Sequence, residues 1–230
     1  MRHRWRLPPA TYRKGSNLNV YISKFSWLLS LAILVAGPCL ARELSNEQIS
    51  QAYYKSYNYE KSGNYDDAIK ALQLVYQQYS KAYGVNNRLG YLYRLNRQYK
   101  NAESHYKQAI TALPDALTPK LGLMYAYLQA KNYDDASKLG YQILSIDFYN
   151  YYGNLRLAYV LRQTDNLEMA EKILIKMLTR YPSDTLYLTE LGLLTYQQKD
   201  YPRTRGIMQE VLILDPENVD AKSVLLAIEK

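Results

Sequence analysis

Side chains able to do covalent or metal chemistry are scarce and scattered in this 230-residue chain. There are two histidines, His3 and His105, and one cysteine, Cys39. Neither a multi-histidine metal site nor a thiol nucleophile with a paired histidine can be assembled from that set. No two of the ten glycines stand within two positions of each other, so there is no Gly-x-Gly phosphate loop. The acidic pairs Asp66-Asp67 and Asp134-Asp135 come nearest to hydrolytic carboxylates. Both fall where a helix is expected to begin, and carboxylates there complement the helix dipole. His105 is expected on the outer face of a helix, as a solvated surface histidine. The residues therefore predict no catalytic group, no cofactor, no metal and no enzyme.

What the chain does have is tyrosine, 26 of them against two Phe and two Trp. Apolar residues make up 48%, which excludes collagen-like and disordered classes, and a single Cys excludes a disulfide framework. The net charge of +8 is lopsided. Residues 1–41 hold six basic groups and no acid, leaving 23 basic against 21 acidic in residues 42–230. The body is close to neutral, so a nucleic-acid partner is not expected.

Residues 1–41 read as a secretory signal: basic groups up to Lys24, an apolar run from Phe25 to Ala36, then Gly37-Pro38-Cys39-Leu40-Ala41. The run is short for a spanning helix, which needs roughly 20 apolar residues. Pro38 spoils the small-residue approach to a lipidated cysteine, so Cys39 is expected to leave with the leader after cleavage behind Ala41. An inner-membrane anchor formed by uncleaved residues 25–41 is the alternative. The basic lead is long for a signal, and translation from a non-AUG codon near Val20 would shorten it. A periplasmic location is the expectation.

Stepping by 34 from Gly63-Asn64-Tyr65-Asp66-Asp67-Ala68 lands on related segments at 97–102, 131–136, 165–170 and 199–204, with no insertion. Five blocks follow: 49–82, 83–116, 117–150, 151–184 and 185–218. Small residues at Gly90, Ala158 and Gly192, the alanines Ala68, Ala102, Ala136 and Ala170, and the closing Pro114, Pro182 and Pro216 recur in frame. With Leu89, Tyr93, Tyr99, Tyr106 and Ala109, this pattern resembles the tetratricopeptide repeat. The resemblance implies an all-α, right-handed superhelical solenoid of five helix–turn–helix units. Residues 42–48 would be a lead-in and residues 219–230 a capping helix, about eleven helices in all.

Several residues depart from the pattern. Ser56 and Met124 stand at small positions, Thr204 replaces an alanine, and Ser80 and Phe148 replace closing prolines. Gly140 occupies a place for a large residue, so the third repeat is expected to pack less well. The run 148–153 is expected to be a looser joint.

In arrays of this family the first helices line a concave groove. The resemblance places Tyr57, Tyr91, Tyr125 and Tyr159 there, one per repeat, with Leu193 in the fifth. Tyr53, Asn87, Arg94 and Arg162 share that face, and Tyr152 and Tyr196 extend it. Tyrosine offers a large contact area with few torsions to freeze and a hydroxyl for hydrogen bonding. The same column would equally serve as packing between neighbouring first helices. A clamp for chaperone-tail carboxylates is not expected, because Tyr53, Tyr57 and Tyr91 occupy its places. The expected function is a scaffold that holds a protein or peptide of the cell envelope, for assembly, export or regulation of an envelope complex. A polysaccharide-binding accessory role in exopolysaccharide export is the alternative.

Overall fold

A computed structural model describes residues 43–229. The expected leader, with Cys39, lies outside the described residues. Among the described residues there are twelve helices and no strand. They are α1 (Asn46–Lys61), α2 (Tyr65–Lys70), α3 (Gln73–Gln78), α4 (Tyr83–Leu95), α5 (Tyr99–Ala112) and α6 (Leu117–Gln129). Then come α7 (Tyr133–Ile146), α8 (Tyr151–Gln163), α9 (Leu167–Arg180), α10 (Thr185–Gln197), α11 (Tyr201–Leu214) and α12 (Val219–Ile228). The helices α4, α6, α8, α10 and α12 begin 34 residues apart, as do α2, α5, α7, α9 and α11. Each helix from α4 to α12 packs on the next, and α4, α6, α8, α10 and α12 also pack in series.

The count differs from eleven because the second helix of the first repeat is broken. At the break the Leu72 N–H donates to Ile69 O, three residues back, and the Gln73 side-chain amide reaches the same carbonyl. The ladder is thereby interrupted between α2 and α3. The lead-in is shorter than expected as well. Ser45 and Gln48 form a reciprocal capping box, so residues 46–48 are already the first turn of α1.

One turn design recurs inside all five repeats. Gly63, Arg97, Lys131, Asp165 and Lys199 have φ of 74°, 58°, 55°, 60° and 64°. The next residue's N–H bonds back to the carbonyl five residues earlier, as from Gln98 to Tyr93 and from Asn132 to Tyr127, both at 2.9 Å. This is the Schellman closure, which normally favours glycine at the left-handed position. Asp66, Asp67, Asp134, Asp135 and Glu168 then lie in the first turns of the following helices, as expected for dipole complement.

The core runs between the helix layers. Ala68, Ala102, Ala136 and Ala170 are fully buried, along with Leu89, Leu157 and Leu174. Every departure from the repeat pattern meets a matching change nearby. Ser56, also buried, accepts from Arg88 at 3.2 Å and 3.3 Å. Thr204 bonds the Thr195 hydroxyl at 3.0 Å and donates to Asp200 O at 2.7 Å. Met124 is fully buried because Gly140 makes room for it: a Cβ on Gly140 would sit 3.0 Å from Met124 Cε and 3.0 Å from Leu157 Cδ1. The expectation of poor packing in the third repeat is therefore wrong, since two exceptions to the pattern fill one space.

The joint at 148–153 is tight rather than loose. Asp147 accepts from the Tyr149 N–H and the Asn150 side chain, and Asn150 caps α8 through the Gly153 N–H at 2.9 Å. Where a closing proline is missing, an asparagine in the next helix holds the carbonyl instead. Asn86 donates to Ser80 O and Ala82 O, and Asn154 donates to Phe148 O and Asn150 O. The oxygens of these amides accept from a second helix, Asn86 from His105 Nδ1 at 3.0 Å and Asn154 from Lys176 Nζ at 2.5 Å. His105 is thus no solvated surface group. It stacks on Tyr93 at 5.2 Å, meets Tyr76 edge-on at 5.0 Å, and burial pulls its pKa below the ordinary value.

Candidate functional site

The helices α1, α4, α6 and α8 together line a groove of about 840 Å³. Tyr53, Tyr57, Asn87, Tyr91, Arg94 and Tyr125 are in its lining. Tyr159 lines an adjoining hollow of about 290 Å³, together with Leu128, Leu155, Leu186, Leu193 and Glu190. Arg162 pairs with that Glu190 through two bonds, at 2.6 Å and 3.2 Å. Tyr152 joins the first groove's ladder through Arg156, whereas Tyr196 packs beside Tyr201 at the last repeat.

Four charged groups of the groove escaped sequence reading: Glu60, Lys61, Arg88 and Arg156. With them the tyrosine column becomes an alternating ladder. The Arg88 guanidinium lies 3.9 Å from the Tyr57 ring centre and 5.6 Å from that of Tyr91. Arg94 lies 5.0 Å from Tyr91 and 4.8 Å from Tyr125, and Arg156 lies 5.4 Å from both Tyr125 and Tyr152. Each guanidinium is held against the negative face of a ring, which favours a cation there over a neutral group. The signal for the missed arginines is periodic: Arg88 and Arg156 stand 68 residues apart, as do Arg94 and Arg162, two repeats in each case.

The N-terminal end of the ladder is closed by charge. Arg88, buried, pairs with Glu60 at 2.5 Å, and the Tyr91 hydroxyl donates to the other Glu60 oxygen at 2.9 Å. Burial, then the Glu60 bond, raise the Tyr91 pKa above its usual value, so its phenol stays protonated and keeps donating. At the far end burial pushes the Glu190 carboxyl up while Arg162 pulls against it. In the middle, burial and the nearby Arg94 charge lower the Arg156 pKa, and Arg156 donates to Leu121 O at 2.7 Å. The side-chain oxygen of Asn87 is buried and without a hydrogen-bond partner.

No cluster of metal-ligating side chains occurs among the described residues, nor a helix long and apolar enough to cross a membrane. What the groove can do is hold a chain by aromatic contact, charge and directed hydrogen bonds.

A family model described as tetratricopeptide repeat matches residues 93–139. No curated protein matches the chain in sequence. Solved structures do match in fold. A tetratricopeptide repeat protein from Parabacteroides merdae is 15% identical, with a TM-score of 0.72 over 78% of this chain and 71% of that one. MamA from Desulfovibrio magneticus RS-1, from residue 41 on, is 13% identical, with a TM-score of 0.70 over 77% and 99%. MamA of strain MSR-1 is 21% identical, with a TM-score of 0.62 over 73% and 98%. At these identities the likeness is one of fold.

Proposed function

We propose that this chain, a tetratricopeptide-repeat solenoid, is a non-enzymatic, exported scaffold that holds a protein or peptide of the cell envelope in its groove. The observation that carries the reading is the ladder of tyrosines and arginines along α1, α4, α6 and α8. Rigid rings pinned by guanidinium groups present contact surface with little side-chain entropy left to lose, which favours binding an extended partner. Export rests on the basic-then-apolar pattern of residues 1–41.

Polysaccharide binding in exopolysaccharide export is the second reading, because the same rings suit sugars. Arg88 at 3.9 Å from the Tyr57 ring centre counts against it, since a sugar would stack where the guanidinium already lies. The test is photo-crosslinking in the native host, with Tyr91 or Tyr125 replaced by a photoreactive residue. A discrete heavier band identified by mass spectrometry is expected. If neither site gives a band while the protein stays folded and exported, the scaffold reading falls.

A further inference from the structure

The charges along the groove follow a rule at its two ends that fails between them. A residue in the last turn of one first helix pairs with the residue 28 positions on, in the first turns of the next. Glu60 pairs so with Arg88, and Arg162 with Glu190. The two steps between them break the rule. Arg94 corresponds to Gly122, and Leu128 corresponds to Arg156. Neither Arg94 nor Arg156 has an ion pair among the described residues, although both lie against the Tyr125 ring.

Two like charges drawn together and partly desolvated are unfavourable unless an opposite charge joins them. Each guanidinium has five N–H donors. Arg156 uses one on Leu121 O and Arg94 stands beside Tyr106, so most of the fork of each remains for a ligand. One further feature stands beside this gap. Arg156 also lines the adjoining hollow, whose apolar walls are Leu128, Leu155, Leu186 and Leu193, with Glu190, held by Arg162, and Asp220 on its polar side.

We infer that the middle of the groove is a site for an acidic side chain of an extended peptide, clamped by Arg94 and Arg156 over Tyr125, with a neighbouring aliphatic side chain seated among the four leucines. This rests on the scaffold reading above and names the chemistry of its partner. Charge complementarity selects the acid, and the leucine hollow favours a peptide over an acidic sugar, which has no aliphatic side chain to place there. The unpaired guanidinium groups are therefore a binding feature held at some expense to the free protein.

The test is selection of a random displayed dodecapeptide library on the immobilised full chain, wild type against Arg94→Gln/Arg156→Gln. Wild type is expected to enrich Asp or Glu beside Leu, Ile, Val or Met. The double variant is expected to keep the aliphatic preference and lose the acidic one, with affinity for the strongest wild-type peptide falling about tenfold or more. The reversed pair Arg94→Glu/Arg156→Glu should select Lys or Arg at the same place. The thermal midpoint is a second readout: Arg156→Gln should not lower it, whereas Arg162→Gln should, because it strands Glu190. Selected peptides without acidic preference, or with one that survives the double variant, would overturn the clamp and leave the scaffold reading standing. Stronger competition by polygalacturonate than by free peptide would overturn the peptide as occupant. If nothing is selected, the clamp falls, and crosslinking from Tyr91 and Tyr125 still decides the scaffold separately.

Discussion

In the second repeat Gly90 on α4 faces the ring of Tyr106 on α5; a Cβ on Gly90 would lie 2.7 Å from that ring. In the third repeat the same two places hold Met124 on α6 and Gly140 on α7, both buried. Large and small have changed sides. The third repeat also supplies Gly122, where a Cβ would lie only 2.3 Å from Tyr106 Cζ, so the Tyr106 ring is housed by glycines of two repeats. The fourth repeat has Ala158 and Leu174, fully buried, in the corresponding places. Close packing constrains the summed volume between two helices and is indifferent to which helix supplies it. A position that breaks a repeat pattern is thus informative only alongside the position it touches.

That contrast can be broken most sharply at the ring. Tyr106→Ala should cost about 3–5 kcal/mol, the usual range for emptying a buried aromatic site. A urea titration would measure it, and a loss under about 1 kcal/mol would mean that α4, α5 and α6 close around the gap.

The exchange itself is tested by a double-mutant cycle in the third repeat. Met124→Ala should cost about 2–5 kcal/mol through a cavity. Gly140→Leu should cost about 1–3 kcal/mol through overpacking, because Met124 and Leu157 already occupy the space. Together they recreate the arrangement of the fourth repeat, and the pair should be at least about 1 kcal/mol more stable than the sum of the singles. Strict additivity would show that the two sites do not share a volume.

Gly122→Ala should cost roughly 1–3 kcal/mol, by pushing the Tyr106 ring. If Gly122→Ala is made in a Tyr106→Ala background the penalty should vanish, and a penalty that persists would place its cause elsewhere.

The smallest effect should be common to both repeats. Arg97→Gly and Lys131→Gly relieve a side chain at φ of 58° and 55°, and each should raise stability by about 1 kcal/mol. Unequal gains in calorimetry would show that the two turns differ in ways the backbone angles do not express.

Much of this is legible in the sequence. The period placed the starts of ten helices, and the tyrosines Tyr57, Tyr91 and Tyr125 do come to one groove. Arg88 and Arg156 were not legible as groove residues, because an arginine in a helix reads as solvated until a partner is found for it. Those partners, Tyr57 and Tyr125, lie 31 residues away in adjacent helices. The break between α2 and α3 has no Gly or Pro to announce it, and depends on which donors reach Ile69 O. His105 was misread for a similar reason, since its neighbours Tyr76, Asn86 and Tyr93 are brought to it from helices on other stretches of the chain.

The repeat length, the helix and turn boundaries and the shared tyrosine face follow from local rules: propensity, capping and side-chain direction act within a few residues. The pairing of Met124 with Gly140, of Thr195 with Thr204, and of each groove arginine with a ring or a carboxylate arose only once the helices had stacked. Those relations depend on volumes and charges meeting across helices, and no periodicity along one chain specifies which neighbour yields the space or leaves a charge unpaired.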